Sequence, residues 1–155
     1  MGEGVLFATH LVAAWLLGRQ WRLSTRWLVV GAALPDVVDK PLAMAGVVDL
    51  YHTVGHSGLI LVLVTPVAMT GRRGHALWLG WLSHLLLDAL HIVVNGRPDD
   101  ALFLGWPLTV PATPLGIPPG EFLLYYLWTP SFFIEVTLWL ALGASLVIPR
   151  LSPDE

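Results

Sequence analysis

His84, Asp88 and His91 stand in the stretch "GWLSHLLLDALHIVV", residues 80–94, which is otherwise almost entirely apolar. On an α-helix, residues four and seven apart share a face, so the three form one polar stripe. A charged carboxylate near the centre of a bilayer costs about 2.5–3.5 kcal/mol on insertion scales. The stripe is therefore expected to face other polar groups across a helix interface. An imidazole and a carboxylate on adjacent turns converge as donors for a divalent cation. The chain has no cysteine, so any metal must be held by His, Asp or Glu.

Other stretches carry the same residue types. His10 lies in "ATHLVAAWLLG", Asp36 and Asp39 in "LPDVVDK", and Asp49, His52 and His56 in "DLYHTVGHSG". If that last segment is helical, its three polar residues share a face. Each residue also has a plainer reading. His10 alone is as well explained as glue between helices. Asp36 follows Pro35 and could end a helix, Asp39 beside Lys40 could be a solvated rim charge, and His52 could be an exposed loop residue. His91 reads as an interfacial histidine outside the metal shell. His84 with Asp88 is the pair hardest to explain as filler. Glu135 stands apart from this set, near Thr129, Pro130 and Ser131, as intramembrane carboxylates of transporters and proton relays do.

The elements that must position these residues are set by composition. Of 155 residues, 55% are hydrophobic and only 12% charged, with a mean hydropathy of +0.70. Soluble chains run near 25% charged, and this much less leaves too little polar surface for a globule in water. A multi-pass chain in a lipid bilayer fits. The net charge of −3 comes without a basic stripe, which excludes nucleic acid as a partner. The opening "MGEGVLFATHLVAAWLLGRQ" has Glu3 where a signal peptide would carry basic residues, and reads as a retained first helix.

Five apolar stretches predict helices over about 5–18, 26–38, 57–70, 75–95 and 121–148. A hydrocarbon core of ~30 Å needs roughly 20 residues, a length only the last two reach. The expected fold is all-α, a multi-span transmembrane bundle of about five helices, some short. It forms one integral membrane domain over residues 1–150, with a short tail at 151–155. Residues 96–120 are proline-rich, with Pro98, Pro107, Pro111, Pro114, Pro118 and Pro119, and are expected to be neither helix nor interior strand. Pro66 and Pro130 are expected to kink their helices.

The basic residues test this topology. Arg19, Arg22, Arg26, Arg72, Arg73 and Arg150 all fall inside if the N-terminus is outside and the C-terminus cytoplasmic, leaving only Lys40 and Arg97 outside. Trp21, Trp27 and Trp78 then flank the inner face. In that arrangement His10, Asp36, His56 and Asp88 reach the same outer side from four segments, with His84 near mid-depth.

The motifs "ATHLVAAWLLG", "GAALPDVVD", "HTVGHSGLI", "GWLSHLLLDALH" and "LGWPL", in that order, resemble the membrane-bound metal-dependent hydrolase family, the YdjM-like, LexA-regulated group. The resemblance covers about residues 5–108, and "GWLSHLLLD" is its most specific piece. It implies that His10, Asp36, His56, His84 and Asp88 are metal ligands. The chain has "PDVVD" where the family has P-D-x-D, and "HTVGHS" where it has H-R-x-x-T-H-S. The family is distantly similar to zinc-dependent phospholipase C, which implies phosphoesters as the substrate class.

The expected function is therefore a membrane-embedded, metal-dependent hydrolase of phosphoesters or lipid head groups at the extracytoplasmic interface. One or two divalent ions, Zn²⁺ first, are the expected cofactor, with Asp39 or His52 as the base or a further ligand. The lipid bilayer is the expected partner and a phospholipid the expected substrate. The alternatives are a metal or proton carrier using the same stripe with Glu135, and a structural membrane protein whose polar residues only join helices.

Overall fold

The computed structural model describes residues 7–111 and 124–147. Among the described residues the chain is all-helical, without a strand. The elements are α1 (Phe7–Trp21), α2 (Thr25–Met44), α3 (Gly58–Ala68), α4 (Arg72–Val94), a 3-10 helix (Pro98–Gly105) and α5 (Pro130–Val147).

The α2–α4 pair is the centre of the bundle, with α1 against α2, and α5 against α1 and α4. Two glycines set the α2–α4 crossing. A Cβ at Gly31 would overlap the Leu77 carbonyl oxygen, and one at Gly80 the Leu28 carbonyl oxygen. Small residues let helix backbones approach this closely when hydrophobic burial supplies no drive between them. Around this crossing Ala14, Leu28, Ala32 and Ala76 form one apolar cluster. A second, of Leu61, Leu85, Ile92 and Phe103, joins α3, α4 and the 3-10 helix.

Two helices, α4 with 23 residues and α5 with 18, are long and apolar enough to cross a membrane. The other three expected spans fall short for identifiable reasons. α1 has 15 residues and α3 has 11, below the roughly 20 a span needs. α2 has 20 residues but contains Arg26, Asp36, Asp39 and Lys40.

Several boundaries differ from the sequence expectation. α2 continues to Met44, through Pro35 and Pro41, instead of ending near residue 38. α5 begins at Pro130. Pro130 therefore opens that helix rather than kinking it, since the first turn has no use for the missing amide. Trp128, at φ 71°, makes the break immediately before it. The expected stretch from 121 overlaps residues outside the described set. The proline-rich segment contains a 3-10 helix, because Pro98 sits at its start, where proline is tolerated, and Pro107 comes after its end. Pro114, Pro118 and Pro119 lie outside the described residues. Trp78 sits at an α3–α4 contact. Its indole donates to Leu61 O at 3.1 Å and Thr65 Oγ1 at 3.0 Å.

Candidate metal centre

The polar residues meet at one end of the bundle. α1 runs away from that end and carries His10 in its first turn; α2 runs toward it and brings Asp36 and Asp39; the C-terminal half of α4 brings His84, Asp88 and His91. The segment between α2 and α3 supplies His52 and His56. It is irregular rather than helical, so Asp49, His52 and His56 share no helix face, and Asp49 is exposed and apart from the rest.

That segment is fixed by its backbone. Asp39 is fully buried and accepts from the Thr53 amide (2.7 Å), the Thr53 hydroxyl (3.1 Å), the Gly55 amide (2.8 Å) and the His56 amide (3.1 Å). The Gly55 carbonyl accepts from the Trp81 indole at 2.6 Å. Ser57 caps α3 by accepting from the Ile60 amide, and donates its hydroxyl to the Trp106 carbonyl at 2.6 Å. Gly55 lies so close to Pro35 that a Cβ would press on its backbone. Only glycine lets the loop approach α2 here.

Held this way, His10, Asp36, His56, His84 and Asp88 converge, each at most 7% exposed. Asp88 is the hub. One of its oxygens lies 3.2 Å from His10 Nε2, and the other 3.2 Å from His84 Nε2 and 3.5 Å from His56 Nε2. His56 Nε2 is also 3.6 Å from an Asp36 oxygen. His52, at the solvent side with its side chain 19% exposed, brings Nε2 to 3.9 Å from Asp88. Three overlapping triads could hold a metal ion: His10–His84–Asp88, Asp36–His56–His84 and His52–His56–Asp88.

The ring orientations are set from behind. His84 Nδ1 donates to the Ala32 carbonyl at 2.7 Å, and His56 Nδ1 donates to Asp39 at 2.7 Å. With both rings neutral, both remaining Nε2 atoms would carry lone pairs, and they face each other at 3.2 Å. Two such atoms repel unless a cation, either a proton or a metal ion, lies between or beside them. This arrangement of a ligand ring held by a carboxylate or carbonyl at its other nitrogen is the outer-shell pattern of metal-binding histidines.

Burial by itself would lower the proton affinity of His56. Its hydrogen bonds to Asp36 and Asp39, with the charge of Asp88, outweigh that and raise its pKa to about 9. The carboxylates thus hold a positive charge at this ring. Burial, then the neighbouring charge of His56, pushes His52 down to about 3, so it faces the cluster as a neutral ring.

Asp39, expected as a base or further ligand, has both oxygens engaged by the loop and by His56. It orients the site rather than entering it. His91 lies on the same α4 face, 2% exposed, with neither ring nitrogen hydrogen-bonded and its ring 5.4 Å from that of Tyr126. It belongs to none of the three triads. Glu135, 5% exposed on α5, hydrogen-bonds Tyr126 and also stands outside them. Thr53, Trp81 and the Ala32 carbonyl support the site without any sequence signal, because their contribution lies in contacts with backbone atoms.

Fold and site together define an all-helical bundle with a buried His/Asp cluster able to hold a metal ion. No family model matches the chain, and neither a curated protein nor a solved structure matches it.

Proposed function

We propose that this chain is a membrane-embedded, metal-dependent hydrolase of phosphoesters, working at the extracytoplasmic interface and related to the membrane-bound metal-dependent hydrolase family. The observation that carries the reading is the facing pair of Nε2 atoms on His56 and His84. Their Nδ1 atoms are engaged by Asp39 and the Ala32 carbonyl, so a metal ion that displaced the proton on His56 would find both Nε2 atoms as donors, both within 3.5 Å of one Asp88 oxygen. Mixed imidazole and carboxylate donors suit Zn²⁺. The three overlapping triads offer room for one or two ions.

The membrane part rests on where the apolar side chains point. The interior holds His and Asp, while Leu63 and Val67 on α3 and Leu140 and Val147 on α5 are 69–81% exposed. Only 11% of the α5 span is buried, so it is unlike the core helix of a soluble protein. A chain of about five passes, with the N-terminus outside and the C-terminus cytoplasmic, puts the cluster on the outer side and six of eight Lys/Arg inside.

A bound divalent ion would polarise a phosphoryl oxygen and bring the pKa of a coordinated water toward ~7. The protein's own groups do the rest. His10, Asp36, His56, His84 and Asp88 hold the ion, Asp39 and the Ala32 carbonyl aim the two central rings, and the partly exposed His52 faces incoming ester and water. His52, a neutral ring 3.9 Å from Asp88, is placed to orient the attacking water; as the new P–O bond forms and the ester P–O bond breaks, the water's proton leaves on the departing oxygen as the alcohol.

A second reading, a cation carrier, has one observation in its favour, the buried Glu135 on α5. Against it, the buried side chains beyond the cluster include Ala14, Leu28, Ala32 and Ala76, which offer a cation no ligands. Elemental analysis of the purified protein, together with phosphoester hydrolysis before and after chelation, tests the reading. The expectation is stoichiometric zinc and metal-dependent hydrolysis, both lost when His84 and Asp88 are changed together to alanine. Full metal content in that double variant would overturn it. Glu135-dependent ion flux without any hydrolysis would favour the carrier.

A further inference from the structure

Below the cluster the helices do not close. A cavity of about 610 Å³ lies between α1, α2, α4 and α5, walled by Leu16, Leu17, Leu28, Leu79, Leu82 and Leu138. It is open along one side, where the lining residues Trp21 and Ala141 are exposed, and a wall of leucines gives water too few partners to stay. Its upper end lies at the level of the metal centre along α1 and α4. Ala13 lies one helical turn beyond His10, Ser83 adjoins His84, and Leu87 adjoins Asp88, and all three line the cavity. At its other end stand Gln20 and Trp21.

From Ala13 to Trp21 the cavity follows α1 for about 12 Å at the helical rise. That is close to half of a ~30 Å hydrocarbon core. An occupant along this wall must therefore be apolar and long. The exposed flanks Leu86 and Leu140 show that the surroundings of this cavity are apolar too.

We propose that this cavity seats a single alkyl chain of the substrate, so that the substrate class is a phosphoryl-headed amphiphile whose head lies at the metal centre. The head-group half of this inference rests on the proposed hydrolase reading. The chain-binding half does not. A chain held here runs along α1 and α4 away from the cluster and toward the inner face where Trp21 stands, the sense in which a tail of the outer leaflet points, so that a lipid enters sideways. The cavity also fixes how far the head can travel, placing the ester bond at Asp88 and His52 rather than above them.

The test uses the full chain in nanodiscs, with a photoreactive long-chain alkylphosphonate as a probe that cannot be hydrolysed. Wild type is expected to cross-link at peptides containing Leu79–Leu87 and Leu138–Ala141. Ala141 lines the cavity yet is exposed, so Ala141→Trp fills the space with little risk to folding and should cut the labelling roughly tenfold, the scale of overpacking an occupied site. Leu140→Trp, on the outward side of the same helix, should leave it unchanged. Equal labelling in Ala141→Trp and wild type, or labelling confined to outward residues such as those of α3, would overturn the proposal. Hydrolysis of a chain-free phosphoester separates the two readings. If wild type labels the cavity but cleaves nothing, the hydrolase reading falls and the chain site stands. If it cleaves chain-free and long-chain esters alike, with Ala141→Trp no slower on either, the chain site falls alone.

Discussion

α4 and α5 pass the same test of length and hydropathy, yet they do different things. In α4, 33% of the span is buried, and His84, Asp88 and His91 lie on its buried side. In α5 only 11% is buried, and Ser131 and Glu135 are its buried residues. Hydropathy says where such a helix can lie. Which face it buries, and how closely its backbone meets a neighbour, decides whether it builds a site.

The largest expected effect tests that closeness. Gly80 faces the Leu28 carbonyl, whereas Gly143 on α5 has open space around it. Gly80→Ala must push α2 and α4 apart, with a loss of about 3 kcal/mol, at the upper end of overpacking costs. It should also carry His84 away from the Ala32 carbonyl. Thermal unfolding in detergent, read beside zinc content, should show both losses together. A normal melting temperature would mean that the α2–α4 contact is looser than the structure has it.

The next effect separates ligands from the groups behind them. Asp39→Asn keeps the shape of the loop but weakens the acceptor that aims His56, and a lost outer-shell partner typically lowers metal affinity 10–100-fold. Titration with a competing chelator should show weaker binding that excess zinc restores. Complete and irreversible loss of metal would instead make Asp39 a direct ligand. On α5, Glu135→Gln should leave zinc stoichiometry and affinity unchanged, because Glu135 stands outside every triad. A drop in metal content there would end the contrast between the two helices.

What the sequence made legible follows the same division. The α4 stripe, His10 and Asp36 stood out because a polar side chain in an apolar run needs a partner, and the structure brings these residues together with His56. Asp39 was visible as a carboxylate but not as a hinge pin, since its partners are the amides of Thr53, Gly55 and His56, and every residue has an amide. The irregular 45–57 segment was equally hidden, because its shape depends on Asp39 and Trp81 rather than on local propensity. Gly31 and Gly80 are two of 15 glycines, and only the carbonyls opposite them distinguish them from the others. The start of α5 was misplaced because Pro130 can either kink a helix or open one, and the left-handed Trp128 that decides the matter has no signature of its own.

The smallest expected effect lies at Gly143. A glycine inside a helix is about 1 kcal/mol less favourable than alanine, and none of the described residues stands within 4 Å of where the Cβ would go. Gly143→Ala should therefore raise the melting temperature slightly and leave zinc binding untouched, the opposite sign to Gly80→Ala. Because the two substitutions add the same methyl group to helices of matched hydropathy, any difference between them comes from packing alone. If Gly143→Ala destabilised the protein as much as Gly80→Ala, α5 would have to pack against something at this face, such as a second copy of the chain. Cross-linking from position 143 would then identify it.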